Sequence, residues 1–334
     1  MLSLLLEKKR KKAQKTVLGV EYDFASLAAV KLDKKNQEYS LVCCSSDIFS
    51  DQAYFEGELI SEYIGNIVSN IILANKLGFF TRLGFVTYKD IDISKEEIVC
   101  DKKNSEIIAK EGVVFYLREH FLKKKFPENY SVIAFDFYDE SEEKGIITIY
   151  YIADIKITER FYNIAKKSKK AVSVCGLDNI VISNFVQELF LSEISKHTTN
   201  SILFGLYADK LCVYSFSPSG ELKNYEAVKI FEPKISDANY VDEAIQLLLR
   251  FIDFMSLDFS GNDFSDFSAQ DNAIYIYGIK ENFEKIFSSI KELSAKDCRI
   301  LDPFVNIQTQ DYKKTIEKPY RYVMPVAIAM MEAL

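Results

Sequence analysis

The stretch VLGVEYDFASLAAVKL, residues 17–32, decides the predicted fold. Apolar residues Val17, Leu18 and Val20 lead into a bend that contains Asp23 and Ser26, and apolar residues alternate again beyond it. This pattern predicts a strand, a tight turn and a second strand. A polar turn and a third strand follow, so the chain opens with a three-stranded unit.

A similar stretch, SILFGLYADKLCVYSF, returns at residues 201–216, with Ala208 and Asp209 at its bend. It is also followed by a polar turn and a third strand. Two such units, one opening each half of the chain, predict an internal duplication.

Composition excludes several functional classes. The chain has 334 residues, long enough for two hydrophobic cores, and its net charge is −7, which argues against a nucleic-acid partner because such surfaces are basic. No segment reaches the roughly 18 consecutive apolar residues of a membrane-spanning helix. Six cysteines without a C-x-x-C pair, and only two histidines, predict no metal site.

Hydrophobic periodicity predicts alternating helices and strands between and after the two units. Helices are expected at residues 54–77, 104–125, 158–171 and 239–255. Strands are expected at residues 83–88, 146–153 and 180–182, and a strand, a glycine and a helix over residues 273–292. This alternation favours a mixed α/β architecture.

Taken in order, these segments resemble the actin-like ATPases, and most closely the PilM family of type IV pilus assembly. The segments that carry the resemblance are the leader MLSLLLEKKRKKAQK before LGVEYDFASLAAVKL, then FPENYSVIAFDFYDE, SVCGLDNIVISNFVQELF, RILDPFVNIQ and YVMPVAIAMMEAL. The resemblance spans nearly the whole chain. It implies an α/β actin-like fold of two duplicated, RNase H-like lobes.

The resemblance also implies domain boundaries. A basic leader would span residues 1–16. Lobe 1 would span residues 17–190 and contain subdomain 1A with an inserted α+β subdomain 1C at about residues 79–170. Lobe 2, with parts 2A and 2B, would span residues 191–334.

In actin-like ATPases, the nucleotide lies between the lobes, and glycines in two hairpin turns let backbone N–H groups approach its phosphates. In this chain Glu21 matches the first aspartate, Asp23 the first glycine and Ala28 a lysine. In the second turn, Gly205 matches the aspartate and Tyr207 the glycine, and Gly278 alone remains of a third, glycine-rich motif.

This degenerate nucleotide site, residues Glu21, Asp23, Ser26, Gly205, Tyr207 and Gly278, predicts that ATPase activity is lost and that no cofactor is bound. Asp23 would repel phosphate and the Tyr207 ring would fill its space. The alternative is an active ATPase in which Glu21 or Asp23 serves as a non-standard magnesium ligand.

The resemblance implies a scaffold in the cytoplasm, peripherally associated with the inner membrane, with no catalytic residues. Its partners would be the N-terminal tail of a PilN-like membrane protein, the assembly ATPase and platform proteins of a pilus or secretion system, and further copies of itself in a ring. Such a tail would lie in a groove between subdomains 1A and 1C. The residues predicted for this groove are Ile64, Ile71, Phe79, Phe80, Tyr151 and Ile152.

Overall fold

A computed structural model describes residues 16–36, 38–88, 93–100, 130–139, 146–230, 235–258, 273–309 and 316–331; for residues 93–155 it describes the backbone alone. Residues 1–15 of the predicted leader and the predicted helix at 104–125 lie outside the described residues. In the described part of the chain, no helix combines the length and apolar character that crossing a bilayer requires.

The first sheet contains five strands in the order β10-β6-β1-β2-β3. Strands β1 to β3 form an antiparallel meander, whereas β6 and β10 run parallel to β1. Parallel neighbours need a crossover connection, and helices supply it here. The strands are β1 (Val17–Tyr22), β2 (Ser26–Lys35), β3 (Glu38–Ile48), β6 (Arg82–Thr87) and β10 (Val172–Leu177).

The second sheet repeats this arrangement in the order β13-β12-β11-β14-β15. Its first three strands again form an antiparallel meander, and the last two again run parallel to the first. The shared order confirms the predicted duplication. The strands are β11 (Ser201–Leu206), β12 (Lys210–Phe216), β13 (Leu222–Lys229), β14 (Ile274–Gly278) and β15 (Cys298–Ile300).

Helices cover the sheets and connect the two halves. They are α1 (Ser61–Ala74), α2 (Ile155–Lys167), α3 (Asp178–Phe185), α4 (Leu191–Ile194), α5 (Asp237–Asp258), α6 (Phe283–Ser294) and α7 (Val323–Met330). A π-helical segment, Val186–Phe190, joins α3 to α4. Helices α1 and α2 pack on one face of the first sheet, and a second, larger core continues from its other face into the second lobe.

Two predicted elements are corrected. The helix expected at residues 54–77 begins only at Ser61, because Gly57, with φ of +82°, closes a small hairpin of β4 (Tyr54–Phe55) and β5 (Glu58–Leu59). The strand expected at residues 180–182 is part of helix α3. The strand lies earlier, at β10, since an apolar run this short does not distinguish a strand from a buried helix.

The inserted block is smaller than predicted. A separate antiparallel sheet, in the order β7-β9-β8, contains β7 (Ile93–Cys100), β8 (Tyr130–Asp139) and β9 (Ile146–Asp154). The boundaries at residues 79 and 170 are corrected, because strand β6 joins the first sheet and helix α2 contributes Phe161 and Ile164 to the core of lobe 1.

Helix α7 belongs to lobe 1 by packing, although it was predicted within lobe 2 at residues 191–334. It lies across Gly19 and Gly84, which are paired neighbours on β1 and β6. A Cβ atom on Gly19 would lie 2.2 Å from the carbonyl oxygen of Pro325, and one on Gly84 would lie 2.6 Å from Ile328 Cγ2. The two glycines therefore make the flat surface on which the end of the chain returns to the first sheet.

Candidate functional site

The two hairpin turns that face each other between the lobes have equivalent backbone geometry. In the first, the N–H of Asp23 donates to the carbonyl of Ser26 at 3.0 Å. In the second, the N–H of Tyr207 donates to the carbonyl of Lys210 at 3.1 Å. Asp23 is therefore the counterpart of Tyr207, and Ser26 the counterpart of Lys210.

The Asp23 carboxylate bonds to both turns. Its Oδ1 accepts hydrogen bonds from the N–H groups of Ala25 at 2.7 Å and Ser26 at 2.8 Å. Its Oδ2 accepts from the N–H of Ala208, in the second turn, at 2.7 Å. A carboxylate thus occupies the backbone donors that hairpin turns of this kind offer to an anion.

Gly278, which is all that remains of the third, glycine-rich motif, and the residue after it also pack directly against the two turns. Ser26 Oγ donates to the carbonyl of Ile279 at 2.9 Å, immediately after strand β14. Gly278 has φ of +137°, and a Cβ atom there would lie 2.0 Å from the carbonyl oxygen of Leu206. Gly278 is thus required for close packing of β14 on the second turn, and this use of the glycine involves no ligand.

Lys210 is buried between the lobes at the start of β12. Its Nζ lies 3.2 Å from Asp209 Oδ1 and 3.8 Å from Glu21 Oε1, so one cation lies between carboxylates of the two lobes. The same Nζ lies 4.4 Å from the ring centroid of Tyr88 and 4.6 Å from that of Tyr207. These cation–π contacts favour a charged amine in a desolvated position.

Three tyrosines fill the crevice around this lysine. The Tyr207 ring is 1% exposed, and its centroid lies 5.8 Å from Tyr88 and 6.4 Å from Tyr277, both in edge-on geometry. Tyr88 also donates to Glu21 Oε1 at 2.6 Å. A Cβ atom on Gly205 would lie 3.0 Å from both the Tyr207 and Tyr277 rings, so a side chain there would require both rings to shift by a few tenths of an ångström.

Burial changes the charge states in the crevice. Burial raises the pKa of Glu21 from the usual 4.5 to about 8, although Lys210 and the Tyr88 hydroxyl oppose this shift. Burial, and then the charge of Asp209, raise the pKa of Asp23 to about 6. The pKa of Lys210 is lowered by burial, but the charges of Asp209, Glu21 and Asp23 outweigh that effect and raise it overall.

Beside Glu21 and Lys210 lies a cavity of about 170 Å³, which Arg160 and Phe161 of helix α2 also line. Pockets for drug-sized ligands begin at roughly 300 Å³, so this cavity is small for a nucleoside triphosphate. Among the described residues, no group of three or more histidine, cysteine, aspartate or glutamate side chains is placed to hold a metal ion.

The structure brings together the six residues of the degenerate nucleotide site but not those of the predicted groove. Ile64 and Ile71 are corrected to core residues, because both lie on the buried face of helix α1. Phe79 and Phe80 are exposed, but they precede β6, whereas the chain enters the three-stranded sheet after the other end of that strand. The side chains of Tyr151 and Ile152 lie outside the described ones.

Sequence reasoning missed Lys210, Tyr88 and Tyr277. One signal was available for Lys210, because it occupies in the second unit the position that Ser26 occupies in the first. A charged residue at the start of an otherwise apolar strand also calls for a buried partner. Tyr88 follows β6 of lobe 1 and Tyr277 lies on β14 of lobe 2, and their proximity follows only from how the lobes pack.

The fold and the interlobe crevice together define the class of protein. The chain has an actin-like fold in which the two interlobe turns are hydrogen-bonded to each other. No protein-family model matches the chain, and no curated protein sequence matches it. The resemblance to PilM is confirmed at the level of the fold. A chain of the "PilM-PilN type IV pilus biogenesis complex" has a TM-score of 0.66 at 10% identity, over 96% of this chain and 99% of that one.

Two further solved structures cover most of the chain at lower scores. A protein from Bacteroides thetaiotaomicron with an actin-like ATPase fold and unknown function has a TM-score of 0.45 at 12% identity, over 96% of this chain and 98% of that one. The cytoplasmic domain of EpsL, an inner membrane component of the type II secretion system of Vibrio cholerae, has a TM-score of 0.34 at 10% identity. That match covers 79% of this chain and 81% of that one.

Proposed function

We propose that this protein is a scaffold of a type IV pilus or related secretion platform, and that it has lost ATP binding. In this proposal it lies in the cytoplasm at the inner membrane and binds the N-terminal tail of a PilN-like membrane protein. The assembly ATPase, platform proteins and further copies of the chain in a ring are the other proposed partners.

The bond from the N–H of Ala208 to Asp23 Oδ2 carries the proposed loss of nucleotide binding. A phosphate that entered the crevice would have to replace the Asp23 carboxylate on three backbone donors. It would also have to displace the buried Tyr207 ring. The displaced carboxylate would remain nearby as a like charge, which is costly in a site of low dielectric constant.

Thermal melting with and without Mg-ATP tests this part. A ligand that binds only the native state raises the melting temperature by mass action. We expect no rise with Mg-ATP, Mg-ADP or magnesium alone. A rise of several degrees that depends on both ATP and magnesium would instead support the alternative, an active ATPase that uses Glu21 or Asp23 as a magnesium ligand.

The likeness in fold to a chain of the PilM-PilN complex supports the proposed partner. An extended tail gains affinity from main-chain hydrogen bonds to a sheet edge and specificity from side-chain pockets. In the three-stranded sheet, β7 and β8 are the two edge strands, since β9 pairs with both.

Fluorescence anisotropy with labelled tails of PilN-like proteins tests the partner. We expect saturable binding, and we expect Y151S/I152S on β9 to weaken it. Because these residues lie on the central strand, a melting curve must show that the variant is folded. Phe79→Ser/Phe80→Ser is the matched control and should bind normally. Absence of binding to every tail would overturn the proposed partner without bearing on nucleotide loss.

A further inference from the structure

One end of lobe 1 exposes large apolar side chains. Leu73, in the last turn of α1, is 73% exposed, Phe79 is 89% exposed and Phe80 is 64% exposed. The two phenylalanine rings contact each other edge-on, with centroids 5.8 Å apart. Adjacent exposed phenylalanines cost solvation free energy, and such patches usually mark an interaction surface.

Lysines surround these apolar side chains. Lys170 Nζ donates to the carbonyl of Gly78 at 2.9 Å, which places the segment before β10 directly beside the Phe79–Phe80 pair. Lys76 and Lys169 are exposed and follow the ends of α1 and α2. Burial, and then the nearby charge of Lys31, lower the pKa of Lys170.

The sequence around this end contains no compensating acidic residues. Residues 73–82 and 166–172 together hold six lysines or arginines and no aspartate or glutamate, in a chain whose net charge is −7. An ion pair joins Lys167 to Glu62 of helix α1 at 3.9 Å. The charge of this end is therefore opposite to that of the chain as a whole.

The basic leader joins the fold at the same end. The N–H of Arg82, two residues after Phe80, donates to the carbonyl of Thr16 at 3.0 Å. The 15 residues that precede Thr16 include MLSLLL, six lysines or arginines and one glutamate. Thr16 therefore attaches this apolar and cationic stretch of sequence to the end of lobe 1 that carries Phe79 and Phe80.

We propose that this surface, formed by Leu73, Lys76, Phe79, Phe80, Lys169 and Lys170 and called the basic end, binds the headgroup region of an anionic phospholipid bilayer. Phenylalanines enter the interface between headgroups and acyl chains, while lysines bind the lipid phosphates. Positive charge suits a lipid phosphate and an acidic peptide alike, but two adjacent phenyl rings that are 89% and 64% exposed favour the fluid interface of a bilayer.

The basic end also has a fixed orientation relative to the interlobe crevice. Strands β1 and β6 begin at the basic end, and β1 leads at its other end to Glu21 and Asp23. A bilayer bound at the basic end would therefore leave the three-stranded sheet, which follows β6, directed away from the lipid. The surface is distinct from the proposed tail-binding site, so either proposal can fail without the other.

Vesicle co-sedimentation of the full chain tests the proposal. The vesicles are phosphatidylcholine alone, or phosphatidylcholine mixed with phosphatidylglycerol. We expect at least about tenfold stronger binding to the mixed vesicles at low salt, decreasing as salt screens the charges. Equal binding to both vesicles, or no binding to either, would overturn the proposal.

Two pairs of variants separate the apolar and cationic contributions. F79S/F80S should weaken binding to mixed vesicles about tenfold or more, whereas Phe254→Ser, an exposed phenylalanine on α5, should not change it. K76N/K169N should weaken binding by about fivefold for each lysine removed. Asparagine tolerates the positive φ at both positions, and K223N/K285N in lobe 2 is the charge-matched control.

A leader variant and a tail-binding assay complete the test. Full-length K8Q/K9Q/R10Q/K11Q/K12Q should weaken vesicle binding and add to the effect of F79S/F80S. If the leader variant abolishes binding while F79S/F80S binds like the wild type, the leader alone binds lipid and the proposal is wrong. Loss of tail binding in F79S/F80S with unchanged vesicle binding would make the surface a protein-docking site instead.

Discussion

Asp23 Oδ2 accepts a hydrogen bond from the N–H of Ala208 at 2.7 Å, across 185 positions of sequence. The bond joins the two hairpin turns that open the two halves of the duplicated fold. Its acceptor occurs in only one turn, because the counterpart of Asp23 in the second turn is Tyr207. The two turns of the duplicated fold are thus complementary, since one supplies a carboxylate acceptor and the other the N–H group that donates to it.

The buried Glu21 carboxyl predicts how stability depends on pH. Because the pKa of Glu21 rises to about 8 in the folded state from the usual 4.5, the folded protein retains a proton that the unfolded chain releases between these values. This contribution to stability is present below pH 4.5 and is lost as the pH rises through 8, by up to about 1.4 kcal/mol per pH unit.

We therefore expect the unfolding free energy of Glu21→Gln to fall less than that of the wild type as the pH rises from 4.5 to 8. Urea unfolding at several pH values measures the difference. The raised pKa of Asp23, about 6, contributes in the same direction and remains in the variant. Glu292→Gln, at an exposed position on α6, should retain the wild-type slope, and parallel slopes for all three proteins would contradict the prediction.

Lys210 should be required for stability as the cation between two lobes. Lys210→Met leaves the buried Glu21 and the half-buried Asp209 without their positive partner, which should cost about 3 kcal/mol of unfolding free energy near pH 8. The double variant Glu21→Gln/Lys210→Met should recover at least about 1 kcal/mol of that loss. Lys223→Met, on β13, is the control, and additive single effects would argue against the pairing.

Gly19 should not tolerate a side chain. Gly19→Ala places a methyl group 2.2 Å from the carbonyl oxygen of Pro325, and a backbone atom of a packed helix does not move aside easily. We expect a loss of about 1–3 kcal/mol in urea unfolding. Gly78→Ala has open space around the new methyl group and should leave stability within about 0.5 kcal/mol of the wild type.

Ala295, which ends helix α6, has φ of +52° and ψ of +29°, a left-handed conformation that costs an alanine about 1–2 kcal/mol. Ala295→Gly should therefore raise the unfolding free energy by up to about 1 kcal/mol, since glycine is the usual residue at this position. Ala74→Gly, on the right-handed last residue of helix α1, should instead lower it by about 0.5–1 kcal/mol. Chemical denaturation of both variants beside the wild type distinguishes the two signs.

The sequence by itself determined the duplicated architecture, because alternating apolar residues around two similar bends are local patterns that need no knowledge of the rest of the chain. The sequence also showed that Asp23 and Tyr207 stand at positions where the family that this chain resembles has glycines. Those substitutions are visible one residue at a time.

Only the tertiary structure decided what these residues do. That Asp23 bonds to Ala208, that Lys210 lies between Glu21 and Asp209, and that helix α7 returns to Gly19 all depend on contacts between distant segments. Apolar character predicted a shared groove for Ile71 and Phe79, yet the first is in the core and the second is exposed. Hydrophobicity belongs to the residue itself, whereas burial depends on its neighbours, and those neighbours are set by how distant segments of the chain pack together.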